Sequence, residues 1–257
     1  FPIVLWLPDA LATRLAQQAP DFWSWRGGLF EFVAPPPVPT AATQPRELFA
    51  PRLEETGDPD SQIPIADLQQ QIADLAAASP DSPLLITLHN TLGEAYQRQY
   101  DYQAALTHYE RALALAQTHQ DLPAQARALH NLGDALRKCG RPFQAVDYYP
   151  QALKIYREMG DRQGEANTLN NLGIAYYLLG QYQQAIDFHQ QSLEISREMG
   201  DRQGEANALG NLGIEYGSLA QCQQAIELFQ QSLGIKREIG DRQGEANALG
   251  KMGNEYE

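Results

Sequence analysis

Asparagine side chains recur in this sequence at a spacing that puts them on one face of a helix. Residues four apart on a helix share a face. The asparagines concerned are Asn167 with Asn171 and Asn207 with Asn211, preceded by Asn131 and followed by Asn247. An amide has two N–H donors and a carbonyl acceptor, so a row of amides can pair with the backbone of an extended peptide without reading its side chains. The same amides could instead bridge neighbouring helices of the protein itself, and the sequence leaves both interpretations open.

The rest of this helical face changes in character along the chain. Its early part is charged or polar and carries Glu94, Gln97, Arg98, Arg127, His130, Asp134, Arg137 and Lys138. Its later part is mostly apolar or small and carries Asn170, Ile174, Tyr177, Leu178, Gly210, Ile214, Gly217 and Ser218. We expect charge to select one end of a ligand and the apolar part to receive ligand side chains. Arg127 and Tyr177 therefore join the asparagines as candidate peptide-binding residues.

Familiar catalytic and metal-binding motifs are absent from the sequence. It has no GxGxxG, HExxH, GxSxG or CxxC motif, and its repeated octet GDRQGEAN lacks the lysine of a phosphate-binding loop. The five histidines, at 89, 108, 119, 130 and 189, show no ligand spacing along one helix. Asp161 and Glu165 form an acidic pair, repeated further on, that helix capping explains. We therefore predict no catalytic residue, no metal site and no cofactor, and a chain that is not an enzyme.

Composition narrows the class of partner. The 257 residues include 19 Lys and Arg against 32 Asp and Glu, a formal net charge of -13. Such an acidic chain is poorly suited to the phosphate backbone of nucleic acid or to an anionic membrane, and it has no apolar run of the ~18 residues that span a bilayer. Cys139 and Cys222 are too few for a disulfide framework and are typical of a reducing compartment. We predict a cytoplasmic protein that binds neither nucleic acid nor membrane.

An internal repeat of 40 residues dominates the sequence. Glycine recurs at 93, 133, 173, 213 and 253, and aspartate at 81, 121, 161, 201 and 241. Residues 160–199 and 200–239 are identical at 27 of 40 positions, and GDRQGEAN occurs at 160, 200 and 240. A period of about 20 to 50 residues is typical of solenoids and other arrays.

Apolar spacing within one unit predicts two helices. In the third unit apolar residues recur at intervals of three and four from Ala166 to Leu179, and again from Ala185 onward. Asp161 stands where an N-cap belongs, and the glycines at 160 and 180 supply helix stops.

Glycine also recurs inside the first helix of each unit, where it costs about 1 kcal/mol relative to alanine. In the third unit this residue is Gly173. We expect that its missing Cβ, opposite only a methyl at Ala185, lets the two helices approach closely.

The unit resembles the tetratricopeptide repeat, whose pattern is Leu-Gly-x-x-Tyr followed by Ala, a large residue and a small one. The first unit carries Leu92, Gly93, Tyr96, Ala105, Tyr109 and Ala112; the second carries Leu132, Gly133, Leu136, Ala145, Tyr149 and Ala152; the fourth carries Leu212, Gly213, Tyr216, Ala225, Phe229 and Ser232. His189 occupies the large position of the third unit. The 40-residue period and the sequence pattern GDRxxEAxAxxNLG are similar to the kinesin-light-chain and LGN type of this repeat. The resemblance covers residues 80–257, in units that start near 81, 121, 161, 201 and 241, the last one truncated.

The resemblance implies an all-α fold, a right-handed superhelical solenoid of helix-turn-helix units in which the asparagine-bearing face lines a concave groove. Proteins of this family clasp extended peptides, which favours a protein or peptide partner. Arg127, Arg137 and Lys138 resemble, in type but not in spacing, the clamp that other members use on a C-terminal carboxylate. A mixed-charge solvated face accounts for these three residues equally well.

The two ends of the array differ in sequence. Residues 65–79 place Ile65, Leu68, Ile72 and Leu75 on one helical face, which is typical of an N-terminal cap. Met252 and Tyr256 belong to a unit that is cut off, so we expect an uncapped apolar face and possible self-association through it.

The first 64 residues are of another kind. Residues 35–64 contain eight of the sixteen prolines and an acidic cluster, which is typical of an extended linker. Residues 1–34 are predicted to form strand, helix and strand, a small α/β remnant. This remnant is similar to the trailing edge of the P-loop-like ATPase domains that precede such arrays in bacterial multidomain signalling proteins.

The sequence as a whole predicts a scaffold that captures an extended protein segment in the groove of the array. The alternative is that the array is the sensor arm of a signalling NTPase whose catalytic domain lies upstream. A third interpretation is purely structural, with the units of different copies stacking end to end.

Overall fold

The structure is a computed structural model, and it describes residues 64–253. The predicted α/β remnant at 1–34 and all but the last residue of the predicted linker at 35–64 lie outside the described residues, as do residues 254–257.

The described residues form ten α-helices, and none of residues 64–253 belongs to a strand. In chain order the helices are α1 (Ile65–Ala78), α2 (Leu84–Arg98), α3 (Tyr102–Thr118), α4 (Leu122–Lys138), α5 (Pro142–Met159), α6 (Arg162–Leu178), α7 (Tyr182–Met199), α8 (Arg202–Ser218), α9 (Cys222–Glu238) and α10 (Arg242–Gly253). The prediction of an all-α fold with two helices in each unit is confirmed for this part of the chain.

The helices pack in chain order, each against its neighbours. α2 pairs with α3, α4 with α5, α6 with α7 and α8 with α9, and each second helix also packs on the first helix of the next unit. The first helices touch across one unit, as α4 does with α6 and α6 with α8. Small apolar clusters fill each joint, by which we mean the contact between neighbouring helices. One such cluster contains Leu153 on α5, Leu169 on α6 and Ile195 on α7. The array is therefore stabilised joint by joint rather than by one central core.

Aspartate begins the first helix of the later units, as predicted. Asp161 Oδ1 accepts a hydrogen bond from the Gly164 backbone N–H at 2.9 Å. The aspartates at 121, 201 and 241 accept the same bond in their own units. An N-cap carboxylate satisfies a free N–H of the first turn and opposes the positive end of the helix dipole. The first unit differs, because α2 begins at Leu84 after Pro83 and has no side-chain cap.

A ring of the second helix lies directly over the mid-helix glycine of the first. A Cβ at Gly173 would lie 2.6 Å from His189 Nε2, and a Cβ at Gly133 would lie 2.7 Å from the ring of Tyr149. The other two such pairs are Gly93 with Tyr109 and Gly213 with Phe229. The close approach predicted at Gly173 is thus made by the His189 ring rather than by the Ala185 methyl, although Ala185 is fully buried.

The repeated octet builds an ion-pair ladder along the stack. Glu165 Oε1 lies 2.7 Å from Arg157 Nε, and its Oε2 lies 2.7 Å from Arg162 Nη1. Arg162 also pairs with Glu198. One unit on, the same contacts join Arg197, Arg202, Glu205 and Glu238. The prediction that helix capping explains the acidic pair is therefore wrong for Glu165, because this buried carboxylate joins two units and two guanidinium groups offset the cost of burying its charge.

Replacing a ring-covered glycine should weaken the fold. We expect Gly133→Ala to lower the free energy of unfolding by about 1–3 kcal/mol, since the new methyl overlaps the Tyr149 ring and over-packing costs that much. Gly234→Ala is the matched control, because a Cβ at Gly234, inside α9, meets no atom within 4 Å. Alanine there should raise the free energy of unfolding by roughly 0.5–1 kcal/mol. Urea denaturation followed by circular dichroism measures both changes, and equal destabilisation at the two positions would contradict the packing explanation.

Candidate functional site

Three of the candidate asparagines lie at equivalent places on consecutive first helices. Asn131 on α4, Asn171 on α6 and Asn211 on α8 are all buried. We call the side of these helices that carries them the asparagine face. The other three candidates lie one turn earlier on their helices, where Asn167 is half-buried, Asn207 is buried and Asn247 is exposed.

Asn171 bridges two first helices. Its Nδ2 lies 3.3 Å from His130 Nε2, and His130 Nδ1 lies 2.9 Å from Thr168 Oγ1. Thr168 donates its hydroxyl hydrogen to the Gly164 carbonyl at 2.7 Å, so it accepts from His130, whose proton is on Nδ1. Burial lowers the pKa of His130, which keeps the ring neutral. Nε2 therefore accepts from Asn171 Nδ2, and the buried Asn171 Oδ1 has no hydrogen-bond partner.

Asn211 makes the next bridge, from α8 to α6. Its Nδ2 donates to Asn170 Oδ1 at 3.0 Å. His189 Nε2 lies 3.0 Å from the Asn170 backbone carbonyl and donates to it, while His189 Nδ1 lies 2.5 Å from Glu215 Oε1. Both His189 and Glu215 are fully buried, and a proton lies between Nδ1 and Oε1. His189 fills a core position, as predicted, and it also forms a polar link between two units.

Asn131 carries an unsatisfied donor on the same face. Its buried Nδ2 has no partner in hydrogen-bonding geometry. Asn131 interacts weakly with Glu94 outside that geometry. Burial raises the pKa of the Glu94 carboxyl, and Arg127, Arg98 and this side-chain interaction with Asn131 oppose the rise. The asparagine face thus holds a weakly paired N–H group on α4 and an unpaired carbonyl oxygen on α6, and both atoms are buried in this conformation.

The three outer asparagines are each held by a glutamine four residues earlier. Asn167, Asn207 and Asn247 accept through Oδ1 from the amide groups of Gln163, Gln203 and Gln243, at 3.2, 3.1 and 3.4 Å. These contacts lie within one helix, so they orient the outer amides without tying units together.

The basic residues of the early face are not equivalent. Asp134 pairs with Arg137 and with Lys138, whose Nζ lies 2.8 Å from Asp134 Oδ2. Burial raises the pKa of Asp134, but Arg137 and Lys138 outweigh it and lower the pKa to about 2. The single Asp134 carboxylate pairs with both cations, which favours the mixed-charge face over the carboxylate clamp. Arg127 is exposed and makes no ion pair within residues 64–253.

The apolar part of the face is closed in this conformation. Tyr177 is buried, its hydroxyl lies 3.3 Å from Ser218 Oγ, and its ring packs against Tyr182. Ile174 and Ile214 are buried as well. A ligand side chain can reach this floor only if these contacts open.

A cavity of about 310 Å³ adjoins Arg127. It lies where the start of α4 and the end of α5 meet α2 and the start of α6. Besides Arg127, its polar lining includes Asp121, Asp161 and Tyr156.

Sequence reasoning missed two polar residues of this network, Thr168 and Glu215. Thr168 stands where the units before and after it have Ala128 and Ala208, and Glu215 stands where the preceding unit has Ala175. A polar residue at an alanine position of the repeat is the signal that could have found them.

Two negative observations apply to residues 64–253. No group of three or more His, Cys, Asp or Glu side chains is placed there to hold a metal ion. None of the helices in this range combines the length and the hydropathy that crossing a membrane requires.

The His189–Glu215 pair should make stability depend on pH. Burial raises the pKa of Glu215, and His189 opposes the rise without cancelling it. The folded protein therefore holds this proton more tightly than the unfolded chain does, so the contribution of Glu215 to stability is present below about pH 4.5 and is lost as pH rises through the folded-state pKa. Glu215→Gln, which cannot ionise, should raise the free energy of unfolding at pH 8 and change it less at pH 5.

Urea denaturation at several pH values measures this difference. Burial lowers the pKa values of His89, His108 and His130, which gives the opposite slope below about pH 6.5, but these groups are common to both proteins and cancel in the comparison. Glu194→Gln, on the exposed side of α7, is the control and should show no such trend. A Glu215→Gln effect of constant size from pH 5 to 8 would rule out the titration.

Comparisons with known proteins agree with the geometry. The family model described as tetratricopeptide repeat matches residues 66–118, 124–198 and 190–238. No curated protein sequence matches the chain significantly.

Several solved structures are similar. BtubC (BKLC) from P. vanneervenii has a TM-score of 0.64 and 23% identity, covering 75% of this chain and 81% of that one. A Signal Transduction ATPase with Numerous Domains protein with a tetratricopeptide repeat sensor, from Pyrococcus horikoshii, has a TM-score of 0.65 and 18% identity, covering 74% of this chain and 30% of that one. The Rap conjugation gene regulator of plasmid pLS20, solved with the Phr* peptide, has a TM-score of 0.59 and 16% identity, covering 72% of this chain and 51% of that one.

These structural likenesses concern the fold, and the family model covers more than half of the chain. Together with the paired helices and the glycine-over-ring contact in the first four units, they establish that this chain belongs to the tetratricopeptide-repeat family.

Proposed function

We propose that the asparagine face binds an extended peptide through the peptide backbone. A tetratricopeptide array is a protein-interaction scaffold, and the asparagine face adds the means of contact. The observation that carries the proposal is the buried, unpaired Asn171 Oδ1. An unsatisfied buried polar atom costs about 1–3 kcal/mol, so its presence calls for an explanation, and a ligand N–H group would recover that cost.

The neighbouring contacts keep Asn171 from satisfying itself. If the amide turned over, its oxygen would face the lone pair of His130 Nε2, because the His130 proton is held on Nδ1 by Thr168. The amide is thus oriented in advance, which lowers the entropy that binding must overcome.

Asn131 and Asn171 complement the two polar groups of a peptide unit. Asn131 Nδ2 can donate to a peptide carbonyl, and Asn171 Oδ1 can accept from a peptide N–H. Helices in contact lie about 8–10 Å apart, which corresponds to roughly three residues of extended chain. A peptide crossing α4 and α6 can therefore meet both amides with one strand once the side chains that cover Asn131 Nδ2 and Asn171 Oδ1 move aside, because both atoms are buried in this conformation.

The other candidate residues have supporting roles in this proposal. Asn167, Asn207 and Asn247 line the path one turn away, Arg127 borders it on α4, and Tyr177 marks the floor that opens for a ligand side chain. The Rap regulator offers a parallel, since a protein of the same fold has been solved with a peptide bound.

Backbone recognition should appear as sensitivity to peptide N-methylation. Twelve-residue peptides selected from a random displayed library against the whole chain serve as the probe. We expect the double variant Asn131→Ala/Asn171→Ala to bind these peptides at least tenfold more weakly, because two hydrogen bonds to the peptide are lost. Methylating single backbone nitrogens of the peptide should weaken binding by a similar factor, whereas single alanine replacements in the peptide should matter less. Isothermal titration calorimetry measures each affinity.

The control variant is Gln151→Ala, at an exposed position of α5 where the side-chain amide donates to the Asp147 carbonyl of the same helix. The double variant Asn171→Ala/Asn211→Ala tests separately whether the amides act by bridging helices. Both amides also bridge helices, so we expect this variant to melt at a lower temperature, and Gly133→Ala serves as the control for lowered stability. Loss of binding that Gly133→Ala does not share supports the peptide site, whereas equal loss in the two proteins would mean that the amides serve only to join helices.

The alternative function is that of a sensor arm in a signalling NTPase. It is favoured by the similarity to the sensor-bearing ATPase of Pyrococcus horikoshii and by the resemblance of residues 1–34 to the end of an ATPase domain. ATP turnover by a natural protein that carries this array, measured with and without a selected peptide, distinguishes a sensor from a plain scaffold. A change of turnover on peptide binding supports the sensor.

A further inference from the structure

The turns between the two helices of a unit differ in charge along the array. We call residues 97–103 and 137–143 together the turn edge of the first two units. The equivalent residues later in the chain are 177–183 and 217–223. The turn edge contains four basic residues and one acidic residue, whereas the two later turns contain no charged residue.

Two exposed aromatic side chains also distinguish the turn edge. Tyr100 is 79% exposed and Phe143 is 74% exposed, which makes them the most exposed aromatic residues among residues 64–253. An aromatic ring in water is not required at the position of Phe143, because the other units have glutamine there. These glutamines are Gln103, Gln183 and Gln223.

Tyr100 is held in a backbone conformation that tyrosine rarely adopts. Its φ is 63°, in the left-handed region, where glycine is the residue free of steric cost. Gly140 and Gly180 occupy the same position with φ of 80° and 73°, and Ala220 has 58°. The first unit therefore keeps a large exposed ring where glycine would fold more easily, and strain of this kind is typical of functional positions.

The two segments of the turn edge lie side by side. Gln97 Nε2 donates to Asp134 Oδ2 at 3.0 Å, which joins the end of α2 to α4 near its own end. Burial raises the pKa of the Tyr102 hydroxyl, and the charges of Asp134 and Arg137 also act on it, so Tyr102 lies beside the same part of α4. The Tyr100 ring meets Tyr102 edge-on, with the ring centroids 6.4 Å apart. The aromatic and the basic residues thus share one surface.

Two of the four cations of the turn edge have no counter-ion within the described part of the protein. Arg98 and Arg141 are exposed, and neither makes an ion pair with any of residues 64–253. The other two cations pair with one carboxylate, and Asp101 accepts from a backbone N–H as the N-cap of α3. This surface is therefore positive on a chain of net charge -13, and charges further away than about 8 Å are largely screened at physiological salt.

We propose that the turn edge binds an acidic, proline-containing segment of a partner protein. Carboxylates of the segment pair with Arg98 and Arg141, and its proline rings lie on Tyr100 and Phe143. The inference goes beyond the proposed function and does not rest on it, because none of these four residues belongs to the asparagine pairs.

The chemistry of the surface fits such a segment. A guanidinium group pairs with a carboxylate through two parallel N–H donors. Aromatic side chains at a protein surface bind proline-rich segments, whose polyproline II helix is already extended before binding.

Spacing defines the ligand more closely. Arg98 and Arg141 belong to consecutive units, whose first helices, α2 and α4, are in contact. Helices in contact lie about 8–10 Å apart, and a polyproline II helix advances about 9 Å in the three residues of one turn. Two carboxylates three residues apart, with prolines between them, can therefore pair with both arginines.

Single-stranded nucleic acid is the other class of ligand that aromatic and basic residues attract. It would bring one phosphate for each base to a surface with two free cations, on a chain of net charge -13. Few counterions would be released on binding, so the main source of affinity for nucleic acid is small here. The observations favour the acidic segment.

The probe is the peptide acetyl-Gly-Glu-Pro-Pro-Glu-Gly-amide, titrated into the whole chain and followed by NMR. We expect about fivefold weaker binding when glutamine replaces both glutamates, because two exposed ion pairs are lost. Alanine in place of both prolines should weaken binding about threefold, since the peptide is then no longer extended in advance. Equal binding of the probe and either substituted peptide would overturn the proposal, and so would tighter binding of a single-stranded oligothymidine.

Three variants locate the site, and each introduces a residue that another unit has at that position, so the fold should be kept. Tyr100→Gly, Phe143→Gln and Arg141→Gln should each lower the affinity for the probe about threefold. Tyr100→Gly should do so without lowering the melting temperature, because glycine fits the left-handed backbone. Leu84→Gln and Lys154→Gln, at exposed positions outside the turn edge, are the controls and should bind the probe normally. Unchanged affinity in Phe143→Gln and Arg141→Gln would overturn the assignment.

The competing occupant is the acidic, proline-rich stretch at 35–64 of the chain itself. Its charge is removed in the whole chain by replacing Glu54, Glu55, Asp58 and Asp60 with the corresponding amides. We expect the affinity for the probe to stay the same at physiological salt. A several-fold rise would show that this stretch competes for the turn edge and would overturn the assignment to a partner protein.

Discussion

Each helix pair of the array is held at the distance at which a side-chain ring can lie on a glycine. Gly133 under Tyr149 and Gly213 under Phe229 show the same arrangement, with ring atoms where a methyl group would have to be. The contact sets how closely the two helices of a unit approach, and with them the neighbouring first helices that carry the asparagines. This packing requires glycine inside the helix, where it lowers helix stability by about 1 kcal/mol relative to alanine.

The residue whose ring covers the glycine also explains why the contact between the third and fourth units differs chemically from the earlier ones. Tyr109 and Tyr149 face alanines of the next unit at 135 and 175, whereas His189 faces Glu215. The ring position and its neighbour have changed together, from a phenol beside a methyl group to an imidazole beside a carboxyl group. Two buried ionisable groups that share a proton are tolerated because His189 Nδ1 and Glu215 Oε1 satisfy each other and His189 also donates to the Asn170 carbonyl, although Glu215 Oε2 has no hydrogen-bond partner among residues 64–253.

Local patterns were predictable from the sequence, and contacts between units were less so. The period, the two helices of each unit and the aspartate caps all depend on residues close in the chain. Thr168 with His130 and Arg162 with Glu198 lie 38 and 36 residues apart, so these contacts require the stacking geometry. The pairing of Asp134 with Arg137 and Lys138 is different, because spacings of three and four on one helix were visible in the sequence and could have argued against a carboxylate clamp, which the sequence analysis left open against a mixed-charge face.

The ion-pair ladder also bears on how such an array evolves. Arg157, Arg162, Glu165 and Glu198 all lie within two copies of the wording REMGDRQGE, one period apart. Duplication or deletion of a whole 40-residue unit by recombination would therefore restore every ion pair of the ladder at the new junction. An insertion or deletion of any other length would leave one of these charges without its partner. The ion-pair ladder itself therefore sets no limit on changing the length of the array by whole units, whereas partners that occur at one joint only, such as His189 and Glu215, must be kept together.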